Sequence, residues 1–160
     1  MNAKIKIKTT QKEYKGKSIF AHAADELMIQ ETFDPFEGGD VIETSLYGDV
    51  IFNGDVYSLK YEEAAEGLDG TFTELKFDAK SPKEVSLVRT GALESFMYFE
   101  EGKRHVCVYN TGIMPFEICI YAKSVDNRLL TDGYIEITYI IEIKGACAQK
   151  TVLKMEVERI

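Results

Sequence analysis

Apolar and polar residues alternate with period two along most of this chain, and a helical repeat is almost absent. In AKIKIKTT, residues 3–10, Ile5 and Ile7 share one face and the lysines the other, the pattern of a strand with one side in water. VIETSLYGDVIF and DVYSLKYEE keep the alternation and meet at Asn53-Gly54, a dipeptide that favours a tight hairpin because both residues accept positive φ. Asn53 and Gly54 are expected at the centre of that turn, with Phe52 close to Asp55. Further strands are predicted at about 71–79, 84–90, 94–100, 104–111, 116–124, 133–144 and 148–159, with turns marked by Ser81-Pro82, Gly91, Gly102, Asp132-Gly133 and Gly145. Only residues 19–40 leave the alternation. There SIFAHAADELMIQ predicts a short helix capped by Ser18, followed by the acidic loop FDPFEGGD. Strands joined by short connections, with no crossover helices, predict an all-β, antiparallel up-and-down meander that closes into a barrel, since closure removes unpaired edges. A two-sheet sandwich is the alternative.

Length adds that this is one domain, 1–160, long enough to bury a core without staples. Three cysteines at unrelated spacings, Cys107, Cys119 and Cys147, read as thiols of a reducing compartment. With no apolar run of secretory or membrane-spanning length, the expected location is cytoplasmic, with no membrane partner. Charge sharpens the picture. Residues 1–18 hold six lysines against Glu13, a net +5, so the rest carries −13 of the formal −8. An acidic body without a basic stripe repels phosphate, and nucleic acid is not an expected partner.

VYSLKYEE, LVRTGALESFMYFEEG and YNTG, in this order and spacing, resemble the YwiB-like family of uncharacterised bacterial proteins. In that family a tyrosine-rich strand ending in acidic residues precedes an Arg-x-Gly turn, a Met-x-Phe strand and a Tyr-x-Thr element. The likeness runs from about residue 41 to the end. It implies a calycin- or lipocalin-like barrel of about 8–10 strands, with a helix or loop insertion near 19–40, and no assigned activity. The chain departs from the pattern at 11–40, an enlarged first connection, and at TGIMPFEI, where Met114-Pro115 displace a glycine.

Alternation also assigns faces. Tyr57, Leu59 and Tyr61 share one; so do Thr73, Leu75 and Phe77; Val85, Leu87 and Arg89; and Met97 and Phe99. If the apolar members point inward, so do Arg89 and the tyrosine hydroxyls. Arg89 then has two readings. It either closes one end of the barrel by pairing with Glu63, or it receives the carboxylate or phosphate of a ligand. The candidate ligand wall is Arg89, Tyr57, Tyr61, Met97, Phe99 and Tyr109.

Other chemistry finds little support. His22 falls in the non-alternating segment. His105 and Cys107 share a face, and Cys119 lies on the next strand, yet Cys119 is out of phase with Ile118 and Ile120 and no CxxC spacing occurs, so no metal site is expected. A Cys-His pair without an orienting residue and the lack of a GxSxG elbow leave no catalytic residue to name. Glu62, Glu63, Glu66, Glu100 and Glu101 sit at strand ends, as solvated turn residues do. EGGD and GLDGT lack a phosphate-cradling pattern, and no cofactor is expected. Three functions follow in order: a non-enzymatic barrel binding a small amphipathic or anionic molecule, as monomer or homodimer; a ligand-free interaction protein using the lysine-edged strand at residues 4–8; and an enzyme built on Glu63 and Tyr61.

Overall fold

The structure, a computed structural model, describes residues 2–17, 40–64, 68–110, 115–142 and 147–160, and only the backbone of residues 12–17, 40, 109, 115, 116, 147 and 148. Among these residues the chain forms ten strands: β1 (Asn2–Lys17), β2 (Asp40–Asn53), β3 (Val56–Glu62), β4 (Phe72–Asp78), β5 (Glu84–Thr90), β6 (Glu94–Glu100), β7 (Arg104–Asn110), β8 (Pro115–Arg128), β9 (Tyr134–Glu142) and β10 (Cys147–Arg159). Each strand pairs antiparallel with its neighbour in sequence, and β1 closes the ring by pairing with β10 from Ala3 opposite Arg159 onward. The result is a closed barrel, not a sandwich. Among the described residues there is no helix long and apolar enough to cross a membrane. The expected helix over SIFAHAADELMIQ, with His22, lies outside the described residues.

The barrel follows from the alternation. Strict period two puts Leu59, Leu75, Val85, Leu87 and Phe99 inside, where each is at most 2% exposed. Such burial contributes about 1.5 to 3 kcal/mol for a side chain of this size. Alternation fails where a strand bulges. Register shifts between Ala122 and Ser124 of β8, so Ile118, Ile120 and Ala122 point inward before the shift and Val125 after it. The extra residue bends the strand and lets it continue to Arg128, beyond the end at 124 that the pattern predicts. β1 is likewise longer than its alternating core and shifts register against β10 between Glu13 and Lys17.

The β2–β3 hairpin is present, but its turn sits one residue later than expected. Asn53 pairs with Val56 and Phe52 with Tyr57, leaving Gly54 and Asp55 as the loop. Gly54 alone takes positive φ, +62°, and Asn53 stays in the strand. The face assignment survives because Tyr57, Leu59 and Tyr61 all remain buried.

The meander gives the barrel two unlike ends. One carries the tight turns β2–β3, β4–β5, β6–β7 and β8–β9. The other carries the connections β1–β2, β3–β4, β5–β6, β7–β8 and β9–β10. The tight-turn end is plugged by side chains: the Tyr57 and Phe77 rings stack at 5.0 Å, and Val85 and Ala3 are fully buried as well. The other end is not filled in this way.

Candidate functional site

Toward the end that bears the longer connections, the barrel holds a cavity of about 480 Å³. A ten-stranded ring is wider than one that its own side chains fill, which is the geometric origin of the space. The wall is mostly apolar, with Ile7, Leu46, Leu153 and Met155 facing in from β1, β2 and β10 around the β1–β10 seam, and Leu87 and Met97 from β5 and β6 on the far side of the ring. Polar groups gather where the strands end. Glu63 follows the last residue of β3, Arg89 is the penultimate residue of β5, and Gln11 and Gln149 approach from β1 and β10, Nε2 of Gln149 donating to Oε1 of Gln11 at 3.3 Å.

Arg89 and Glu63 form the charged feature of this lining. Arg89 Nε donates to Glu63 Oε1 at 3.3 Å, and the Thr73 hydroxyl donates to the same oxygen at 2.5 Å. The side chains are 25% and 11% exposed, so the pair is mostly out of water yet still reached by it. Antiparallel register explains the meeting: Thr73 lies opposite both Tyr61 and Arg89, and Glu63 is two residues beyond Tyr61 on the same face.

Two phenols flank the pair. Burial pushes the Tyr61 hydroxyl well above the ordinary tyrosine range. The Glu63 carboxylate adds to the rise, while Arg89 and a hydrogen bond with Thr73 oppose it. Burial likewise raises Tyr139, against the pull of Arg89. Both phenols are neutral near pH 7 and serve as hydrogen-bonding groups rather than as bases. Tyr61 owes its position to Gly48 across the β2–β3 ladder. A Cβ on Gly48 would lie 2.5 Å from the Lys60 carbonyl oxygen and 3.1 Å from Tyr61 Cβ, so no larger residue fits without displacing the tyrosine strand.

The residues singled out from sequence therefore separate by depth. Arg89, Glu63, Tyr61 and Met97 line the cavity. Tyr57 lies below it, stacked on Phe77, and Phe99 supports the Tyr139 ring at 4.7 Å from the plugged end. Tyr109 is placed by backbone opposite Ser95 and Phe116, and its side chain lies outside the described residues. Tyr139, Leu153 and Met155 line the cavity without having been singled out, although YIEITYIIE and TVLKMEV alternate cleanly enough to mark them as inward.

A second ion pair has no counterpart in the sequence reading. Arg104 Nη2 donates to Glu142 Oε2 at 2.5 Å, with side chains 4% and 1% exposed. Both lie on the outward phase of their strands, as does Cys119; Glu142 and Cys119 are buried, and of Arg104 the side chain is covered. His105 instead faces Glu100, Nε2 to Oε1 3.1 Å. Burial pushes the Cys107 and Cys119 thiols up, which disfavours thiolate. Among the described residues no three His, Cys, Asp or Glu side chains converge as metal ligands would. Glu100 and Glu101 are held by Lys103 and Lys83 at the tight-turn end, away from the cavity.

The sequence model of a family described as "Domain of unknown function (DUF1934)" matches residues 28–155. Among solved structures, the ywiB protein from Bacillus subtilis is similar in fold, with a TM-score of 0.62 and 16% identity over 99% of this chain and 94% of that one. No curated protein matches the chain.

Proposed function

This chain belongs to the DUF1934 family, and from that footing we propose that it is a binding barrel that holds a small amphipathic molecule, apolar body inward and polar head at Arg89. The observation that carries this reading is the 480 Å³ cavity with an apolar wall and convergent polar groups at one end. That volume lies within the range of about 300 to 1,000 Å³ usual for small-molecule sites. Arg89 is paired through Nε, and among the described residues its terminal Nη groups have no hydrogen-bond partner. They remain donors for a ligand.

The interaction reading finds less support. From residue 2 to residue 11, β1 is hydrogen-bonded to β2 on one side and β10 on the other, so its lysine-bearing stretch offers no free edge for strand addition.

Native mass spectrometry of the purified protein, with fluorescence titration of the neutral apolar probe N-phenyl-1-naphthylamine, tests the proposal. We expect saturable binding of one probe per chain, lost in Leu87→Trp, which fills the cavity. A clean ligand-free mass together with no probe uptake overturns it.

A further inference from the structure

Resting on the reading of the cavity as a ligand site, we infer that its polar end selects an uncharged head group carrying both a donor and an acceptor, a primary carboxamide being the simplest case, over a carboxylate or an ammonium. The basis is the charge inventory of the lining. Among the described lining residues Arg89 and Glu63 are the only formal charges, and they are already paired with each other. The remaining polar groups, Thr9, Gln11, Thr44, Tyr61, Tyr139 and Gln149, are uncharged, the two phenols held so by burial.

The pairing is asymmetric. Glu63 Oε1 accepts from both Thr73 and Arg89, whereas Oε2 accepts no hydrogen bond among the described residues. Arg89 has used Nε and, among the described residues, keeps its Nη donors. A guest therefore meets unused donors and an unused acceptor on one ion pair. A carboxylate head would satisfy the arginine but bring its charge against Glu63. An ammonium head would satisfy Glu63 and face the guanidinium. In a site where the Glu63 side chain is 11% exposed, water screens neither repulsion well. A carboxamide leaves no charge over: its oxygen accepts from an Arg89 Nη, and its NH₂ donates to Glu63 Oε2. The same argument removes a plain anionic ligand, which an inward arginine taken alone would favour.

Three ligands of equal chain length, decanamide, decanoate and decylamine, separate the possibilities when they compete with N-phenyl-1-naphthylamine on the full chain at neutral pH. We expect decanamide to bind at least about tenfold more tightly than either ion. In Glu63→Gln, checked for folding by its melting transition, the carboxylate's disadvantage should shrink by about tenfold while the amide changes less. Decanoate or decylamine matching decanamide on the parent protein overturns the inference, whether or not the variant folds. Probe binding without competition from any of the three also overturns it and leaves the binding reading standing. Absence of probe binding removes both.

Discussion

Glu63 Oε1 receives Arg89 from β5 and Thr73 from β4, so one carboxylate oxygen ties the end of β3 to its two successors. Removing the cation leaves a largely desolvated carboxylate. Arg89→Leu should cost about 1 to 3 kcal/mol, less than a fully buried pair would, because a quarter of the arginine side chain is exposed. The double change Arg89→Leu with Glu63→Gln should recover part of it. Denaturant titration of the four proteins gives the coupling, and a single-variant loss near zero would show that the pair contributes nothing to stability.

The Arg104–Glu142 pair should behave differently. Its side chains are 4% and 1% exposed, and Arg104→Met should cost about 3 to 5 kcal/mol, more than Arg89→Leu in the same assay. Equal losses would contradict the difference in burial.

Turn geometry gives a third expectation. Gly54 has positive φ and open space around its Cβ position, so the cost of substitution there is backbone strain alone. Gly54→Val should lose about 1 to 3 kcal/mol, and Gly54→Ala somewhat less. Asn53→Ala should stay within about 0.5 kcal/mol, as at other surface positions without a special role. Thermal melts that rank Asn53 above Gly54 would return the turn to Asn53-Gly54.

A hollow barrel responds unevenly to added volume. Met155→Phe, into the cavity, should leave the melting midpoint unchanged or raised, whereas Leu75→Trp, in the fully buried interior outside the cavity lining, should cost about 1 to 3 kcal/mol or more. Similar losses at both positions would mean that the space is filled.

Tyr57, Tyr61 and Tyr139 all have hydroxyls raised from 10.0, chiefly by burial. A raised acid in the folded state stabilises below its unfolded value and loses that contribution as pH climbs toward the folded one. Stability should therefore fall from about pH 10 upward. Tyrosinate absorbance should rise in two stages, exposed phenols first and these three together with unfolding. A single stage centred on the ordinary value would contradict their burial, and Tyr61→Phe should flatten the alkaline loss.

Period two was enough to read the ring and the inward face of Arg89, because each depends only on which side of a strand a residue occupies. For Arg89 it left two readings open, a pair with Glu63 or a ligand contact. Depth along the barrel axis has no such signal. Tyr57 and Tyr61 look alike in VYSLKY by phase alone, yet Tyr57, beside the β2–β3 turn, plugs the floor and Tyr61, at the far end of β3, lines the cavity. Arg104 and Glu142 escaped for the opposite reason. Their outward phase reads as solvent-facing, and burial on the outer side of a sheet depends on what lies over it, which alternation does not encode.

The β1–β10 seam also bears on the order in which the barrel assembles. Every other ladder joins strands adjacent in sequence, but this one must bring Ala3 to Arg159, nearly the whole chain apart. Nine hairpin-like contacts can form early, while the seam carries the entropic cost of a ring as large as the protein. Until it forms, β1 and β10 are open edges, and the cavity wall supplied by Ile7, Leu153 and Met155 does not exist. Guest capacity is thus a late property of the folding chain, absent from any intermediate in which the two outermost strands have not met.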